Sequence, residues 1–132
     1  MKETPERYIS RYAAPAIGIC TDLPEEQKSE LLKRIDEGGS FTREEIQDFF
    51  PKAYRIMGIV AKEKGLSVWH PEVSQEYWRN RHNMDTMHDP CKVKKITYQE
   101  QQGLKVPSYL KENLNKGDRA TTHLGTIIEK LL

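Results

Sequence analysis

The sequence predicts an α+β fold, in which a helical N-terminal subdomain (residues 1–87) is followed by a small β module (residues 88–132). Between about residues 24 and 82, apolar residues recur at helical spacing between recognisable start and stop signals. After residue 91 the run C-K-V-K-K-I-T-Y is rich in β-branched residues and partly alternating, which favours a strand. We therefore expect about four helices packed against a small sheet.

Prolines and a capping signal divide the helical part. Pro24 suits the first position of a helix that ends before two glycines at residues 38–39. Thr42 with Glu45 three residues later predicts a capping box. Pro51 and Pro71 each stand where a further helix can begin.

The β module contains one clear turn and one ambiguous segment. Gly117 and Asp118, in N-K-G-D, predict a tight turn. In the tail that follows, R-A-T-T-H favours a strand, whereas four later apolar residues stand at helical spacing, with Gly125 at the change. These four residues are Leu124, Ile127, Ile128 and Leu131.

Composition limits the classes of function. The chain has 132 residues and a formal net charge of +1, so we expect no general attraction to nucleic acid or to anionic membranes. No apolar run approaches the ~20 residues of a membrane span, and no signal-peptide pattern begins the sequence. A cytoplasmic protein whose two cysteines are thiols is the expectation. Aromatic and basic residues at 69–82 are expected to form core and solvated arginines rather than a nucleic-acid surface.

Cys91 and His123 are the candidate metal ligands. A soft thiolate and an imidazole suit iron, copper or zinc. His88, in His88-x-x-Cys91, and His82 are possible further ligands or supporting groups. Zinc held by these histidines is one alternative, although structural zinc sites usually have two short chelating arms and this chain has one. A Cys–His nucleophile is another, but no third orienting residue and no oxyanion-forming glycine motif accompany it. No dinucleotide-binding, Walker or H-E-x-x-H motif is present either, so we expect no enzyme.

The tail N-K-G-D-R-A-T-T-H-L-G-T-I-I-E-K-L-L resembles the closing signature of small hydrogenase-assembly chaperones of the HypC/HupF type. These proteins share a glycine–aspartate turn, a strand that ends in histidine–x–glycine, and a run similar to I-E-K-L. They begin with a cysteine before a short apolar strand, a place that C-K-V-K-K-I takes here. The resemblance covers about residues 88–132.

This resemblance implies a reduced, OB-like β-barrel and a function in metalloenzyme assembly. Cys91 would be the thiolate ligand and His123 the imidazole partner of an iron that carries cyanide and carbon monoxide. The partner would be the large subunit of a nickel–iron hydrogenase or another assembly factor. Gly117 and Asp118 would form the turn before the last strands, and Gly125 would let the backbone bend beside the site.

The chain also departs from the family pattern. Cys91 is internal, whereas the family's cysteine follows the initiating methionine, and Lys94-Lys95 replace the usual proline–glycine. The spacing from cysteine to histidine is shorter than in the family. A degenerate module that binds a protein partner without metal is therefore the alternative function.

Overall fold

The structure of the protein is a computed structural model that describes residues 3–85, 92–99 and 103–131. Helices occupy the first of these ranges: α1 (Pro5–Ala13), α2 (Ile17–Cys20), α3 (Glu25–Asp36), α4 (Arg43–Phe49), α5 (Pro51–Lys64), α6 (Pro71–Glu76) and α7 (His82–Asp85). Strands follow: β1 (Lys94–Thr97), β2 (Arg119–His123) and β3 (Thr126–Leu131). The predicted α+β class is confirmed.

The sequence signals explain where the longer helices begin and end. The capping box is present, because Glu45 N donates to Thr42 Oγ1 at 3.1 Å and Thr42 N donates to Glu45 Oε1 at 2.9 Å. Pro51 occupies the first turn of α5, which ends at Gly65 with a left-handed φ of 66°. A 3₁₀ turn, Ala14–Ala16, connects α1 to α2.

A π-helical segment, Tyr77–Arg81, joins α6 to α7 in one continuous helical stretch. π-helical turns are rare and occur frequently at functional sites, because the extra residue per turn changes which side chains share a face. Here Tyr77 and Trp78 are buried, with 3% and 2% of their surfaces exposed. The aromatic residues of this region therefore form core, as expected.

The sheet is antiparallel, with the strand order β1-β2-β3. His123 pairs with Thr126, so that Leu124 and Gly125 form a two-residue turn in which φ is 52° and 79° respectively. Positive φ at both positions is the mark of a type I′ hairpin turn. The ambiguous tail is therefore a strand, and its apparent helical spacing reflects Ile127 and Ile128, which are buried in two different clusters.

The helices and the sheet share a hydrophobic core. Val93 and Ile128 pack in the same cluster as the buried residues of α1, α3, α5 and the π segment. A second, smaller cluster lies on the sheet around Leu110, Leu114 and Ala120. None of the helices in the described ranges is long and apolar enough to cross a bilayer.

Candidate functional site

His123 is the last residue of β2, and its side chain is only 2% exposed. Its Nδ1 lies 2.6 Å from the backbone oxygen of Tyr12 in α1. Because a carbonyl oxygen only accepts hydrogen bonds, His123 Nδ1 must carry the proton and donate. In a neutral ring with its proton on Nδ1, the lone pair is on Nε2, the nitrogen through which a histidine in this tautomer ligates a metal.

A second imidazole lies against the first. The ring centroids of His82 and His123 are 4.9 Å apart, with an interplanar angle of 83°. Trp78 contacts both rings, with centroid distances of 5.1 Å to His82 and 5.8 Å to His123. Trp78, in the π segment, and His82, directly after that segment, thus both contact His123 at the end of β2.

Asn83 attaches the start of the sheet to this cluster. Its Nδ2 donates to the backbone oxygen of Val93, and Val93 N donates to its Oδ1, both at 2.6 Å. These two bonds hold Val93, the residue immediately before β1, against Asn83, which is the neighbour of His82 in the sequence. Cys91, two positions earlier in the sequence, and His88 lie outside the described residues, so their predicted roles stay predictions.

Trp78 carries an unusual polar atom. Its Nε1 is buried and has no hydrogen-bond partner, a condition found for no other side-chain nitrogen or oxygen in the part of the chain that the structure describes. The indole ring is held between neighbours: it stacks on Tyr12 at 5.5 Å and 12°, and Tyr77 meets it edge-on at 4.9 Å. Leaving a buried donor unpaired costs about 1–3 kcal/mol.

A buried carboxylate stands two residues beyond Ile127 on β3 and connects the sheet to the helices. Glu129 Oε1 accepts from Tyr8 Oη at 3.0 Å, Tyr12 Oη at 2.5 Å and Arg79 Nε at 3.0 Å. Burial raises the pKa of Glu129, but the hydrogen bonds from Arg79 and the two tyrosines outweigh it and hold that pKa below its ordinary value. Burial and the neighbouring charge raise the pKa of both phenols, so they remain donors.

The predicted turn residues occupy turns. Gly117 has a φ of 94°, and the Asp118 carboxylate accepts from Asn115 N at 2.8 Å. That hydrogen bond lowers the pKa of Asp118, with a further contribution from Lys130. Gly125 is the second residue of the hairpin turn, after Leu124, which follows His123.

The described residues do not by themselves complete a metal site. Within ranges 3–85, 92–99 and 103–131, no group of three or more His, Cys, Asp or Glu side chains is arranged to hold a metal ion. The two neighbouring imidazoles have the donor chemistry that iron and zinc accept. Two donors do not complete a site, so a metal bound here would need a further donor. The zinc alternative depends on His88 and Cys91, which lie outside the described residues, so it stays a prediction.

Sequence reasoning identified His123 and His82 but missed Trp78, Asn83 and Glu129 as parts of one arrangement. Trp78 and His82 are four residues apart, a spacing that places two side chains on one helix face and was a usable signal. The contact of α1 with β2 and β3 had no such signal, since more than 100 residues separate Tyr12 from Glu129.

Comparisons of the chain with models of protein families, with curated proteins and with solved structures gave no match.

Proposed function

We propose that the protein is an accessory factor of metalloenzyme assembly that holds an iron fragment between the thiolate of Cys91 and the imidazole of His123. By resemblance, the fragment is an iron carrying cyanide and carbon monoxide, and the recipient is the large subunit of a nickel–iron hydrogenase. The iron is cargo, and the chain's own task is to bind and orient it.

The pair of imidazoles at the end of β2 is the observation that carries this proposal. His123 donates from Nδ1 to Tyr12, which fixes its ring, and Nε2 is the nitrogen through which it would bind the iron. His82 adds a second nitrogen donor 4.9 Å away, measured between ring centroids. A thiolate with imidazole nitrogens is a donor set suited to ferrous iron.

The start of β1 also supports the proposal. Asn83 holds Val93 by two hydrogen bonds, and Cys91 precedes Val93 by two positions. The chain segment that leads to the proposed thiolate is thereby attached beside His82. A reduced OB-like barrel remains part of the proposal, supported by the antiparallel order of the strands and by the histidine–x–glycine step at the β2–β3 turn.

A second candidate is a protein-interaction module that binds no metal. It is favoured by the burial of His123, whose side chain is 2% exposed and whose ring packs on Trp78 as core side chains do. In that case the histidines stabilise the contact between the π segment and the sheet, and the molecule acts through its surface alone.

Anaerobic purification from cells that assemble a nickel–iron hydrogenase separates the two. Iron in about equal molar amount to the protein, with infrared bands of bound cyanide and carbon monoxide, is the expected result. The informative variant is His123→Asn, because the asparagine amide reaches the Tyr12 carbonyl as Nδ1 does but has no counterpart of Nε2. Cys91→Ala removes the thiolate.

Two matched controls accompany these variants. His70→Asn changes a histidine that caps α6, where Nδ1 accepts from Glu72 N at 3.1 Å and asparagine caps equally well. Cys20→Ala removes the other thiol. Iron lost with both site variants and kept with both controls supports the carrier function. A Cys91→Ala protein that still supports hydrogenase maturation leaves the interaction module as the function. A Cys91→Ala protein that keeps its iron refutes Cys91 as the ligand.

A further inference from the structure

We propose that a cleft between the 3₁₀ turn after α1, helix α3 and the segment 105–109 binds a protein partner through a short acidic segment with one large apolar side chain. The apolar side chain enters the cleft, and the acidic residues on either side of it pair with cations at the rim. This inference goes beyond the proposed function, because it depends on no metal and on neither Cys91 nor His123.

The cleft is lined mostly by apolar side chains of the described residues. They are Ala14, Pro15, Leu32, Ile35, Pro107 and Tyr109. The volume of the cleft is about 70 Å³. On a measure that gives one water about 10–15 Å³, it takes about five to seven waters, which is roughly the size of one leucine or phenylalanine side chain. The cleft therefore has room for one anchoring side chain.

The apolar surface continues past the cleft at Leu32. This side chain is 37% exposed, although leucine is usually buried. Among the described residues, Ile59 is the one other large apolar side chain with comparable exposure, at 43%. A protein partner can cover the exposed part of Leu32 while it fills the cleft, whereas a small molecule of the size of the cleft fills the cleft alone.

Two hydrogen bonds hold the walls of the cleft together. Asp36 of α3 accepts from Ser108 N at 2.9 Å and from Ser108 Oγ at 2.7 Å. These bonds, and then the nearby charges of Lys105 and Lys111, lower the pKa of Asp36. Because α3 is already joined to the opposite wall, little ordering is needed when a partner binds.

The charges around the cleft select an acidic partner. Lys105 lines the cleft, and both Lys105 and Lys111 are exposed. Arg7, whose guanidinium carbon lies 4.8 Å from the centroid of the Tyr109 ring, donates to two backbone carbonyl oxygens, which carry no net charge. Asp36 is already engaged, so acidic residues of a partner meet mainly cations here. Such complementarity favours the encounter and suppresses basic partners.

A second copy of the chain fits this charge poorly. Its other exposed apolar side chain, Ile59, lies one helical turn from Arg55 and Lys62 on α5. Glu63 is also one turn away, but it is paired with Arg81 at 2.9 Å. An Ile59 anchor would therefore bring cations against the cations of the cleft, which is unfavourable.

The probe is the pentapeptide E-D-F-D-E, acetylated and amidated, added to the ¹⁵N-labelled full chain at low salt. We expect saturable shifts of the amide signals of Leu32, Lys105 and Thr126, and no shift at Ile59. The peptide E-D-A-D-E, which lacks the anchor, should bind about 10-fold more weakly or worse. The peptide K-R-F-R-K, with the anchor but the opposite charge, should not saturate over the same range.

Leu32→Ser and Lys105→Glu test the two parts of the surface separately. Ile59→Ser and Lys62→Glu are the matched controls, since they make the same changes at exposed positions of α5. We expect E-D-F-D-E to bind about 5-fold more weakly to Leu32→Ser. Binding to Lys105→Glu should be about 10-fold weaker at low salt, with a smaller difference in about 0.5 M salt. Both control proteins should bind as the wild type does.

Each other outcome refutes the inference. The acidic partner is wrong if E-D-F-D-E does not saturate, or if K-R-F-R-K binds equally well. Equal affinities of the test and control variants, or of E-D-F-D-E and E-D-A-D-E, show that the cleft is not the site or that no apolar anchor is used. A dimer in sedimentation that Leu32→Ser dissociates and Ile59→Ser does not would assign the cleft to a second copy. None of these results depends on iron, so they are independent of the test of the carrier function.

Discussion

Replacing Glu129 by glutamine tests the contact between the sheet and the helices. Glu129 accepts from two phenols and from Arg79, whose Nη2 lies 3.2 Å from Oε2. In Glu129→Gln the amide oxygen keeps some of these bonds, but the amide nitrogen faces either a guanidinium N–H or a phenol O–H. At least one charge-assisted hydrogen bond is lost, and such bonds contribute about 1.5–3 kcal/mol each.

The expected loss lies at the lower end of that range. The Arg79 side chain is 34% exposed, so it can turn partly to water when its partner changes. We expect the free energy of unfolding to fall by about 2 kcal/mol, and the urea midpoint by about 1 M for an m-value of about 2 kcal/mol/M. The m-value itself should stay unchanged, because the folded surface is the same.

The difference should depend on pH in one direction. The pKa of Glu129 is held below its ordinary value in the folded protein, so its contribution is complete above the unfolded pKa of about 4.3. As pH falls through the depressed folded pKa, the carboxyl of the wild-type protein is protonated and the advantage over Glu129→Gln disappears. Urea titrations at pH 7 and pH 3 measure this change.

Glu63→Gln is the matched control, because it removes a carboxylate that pairs with Arg81 at 2.9 Å on the surface. Its urea midpoint should equal that of the wild-type protein. If Glu129→Gln and Glu63→Gln have the same midpoint at pH 7, the buried carboxylate does not hold the sheet on the helices and our reasoning about it is wrong.

Three further substitutions test local contacts of the fold. Asn83→Ala should lower the free energy of unfolding by about 2 kcal/mol and speed hydrogen exchange at the Val93 amide, because both backbone groups of Val93 lose their partner. Unchanged exchange would contradict the attachment of Val93 to Asn83. Thr42→Ala should cost about 1 kcal/mol in urea unfolding through loss of the α4 cap, with exposed Thr97→Ala as a control that should cost less. Gly125→Ala should lower the free energy of unfolding by about 1–2 kcal/mol, because the φ of Gly125 is 79°. The cost is one of backbone strain alone, since an added Cβ meets no atom within 4 Å. A neutral result would mean that the turn adapts.

Local signals in the sequence predicted local structure well. Thr42 with Glu45 predicted a capping box, and Pro51 and Pro71 predicted helix starts, because each depends on residues within one turn of the chain. The tail was ambiguous for a physical reason. Residues 127 and 128 are adjacent and both buried, one in each cluster, so no simple alternation marks the strand.

The candidate site could be predicted only in part. His123 was chosen from the histidine–x–glycine step, and His82 from its nearness in the sequence to His88 and Cys91. The contacts that position His123 come from Tyr12 and Trp78, which are 111 and 45 positions away in the sequence. Such pairings depend on how the helices pack on the sheet, and no spacing rule within one segment encodes them.

Tyr12 has one further consequence for the molecule. Its carbonyl holds His123, its hydroxyl holds Glu129 and lies 2.8 Å from the hydroxyl oxygen of Thr121, and its ring lies flat on Trp78. A change at the end of β2 is therefore transmitted directly to the first helix. A substitution that displaces His123 should therefore also disturb α1, because Tyr12 contacts both His123 and the neighbouring sheet residues.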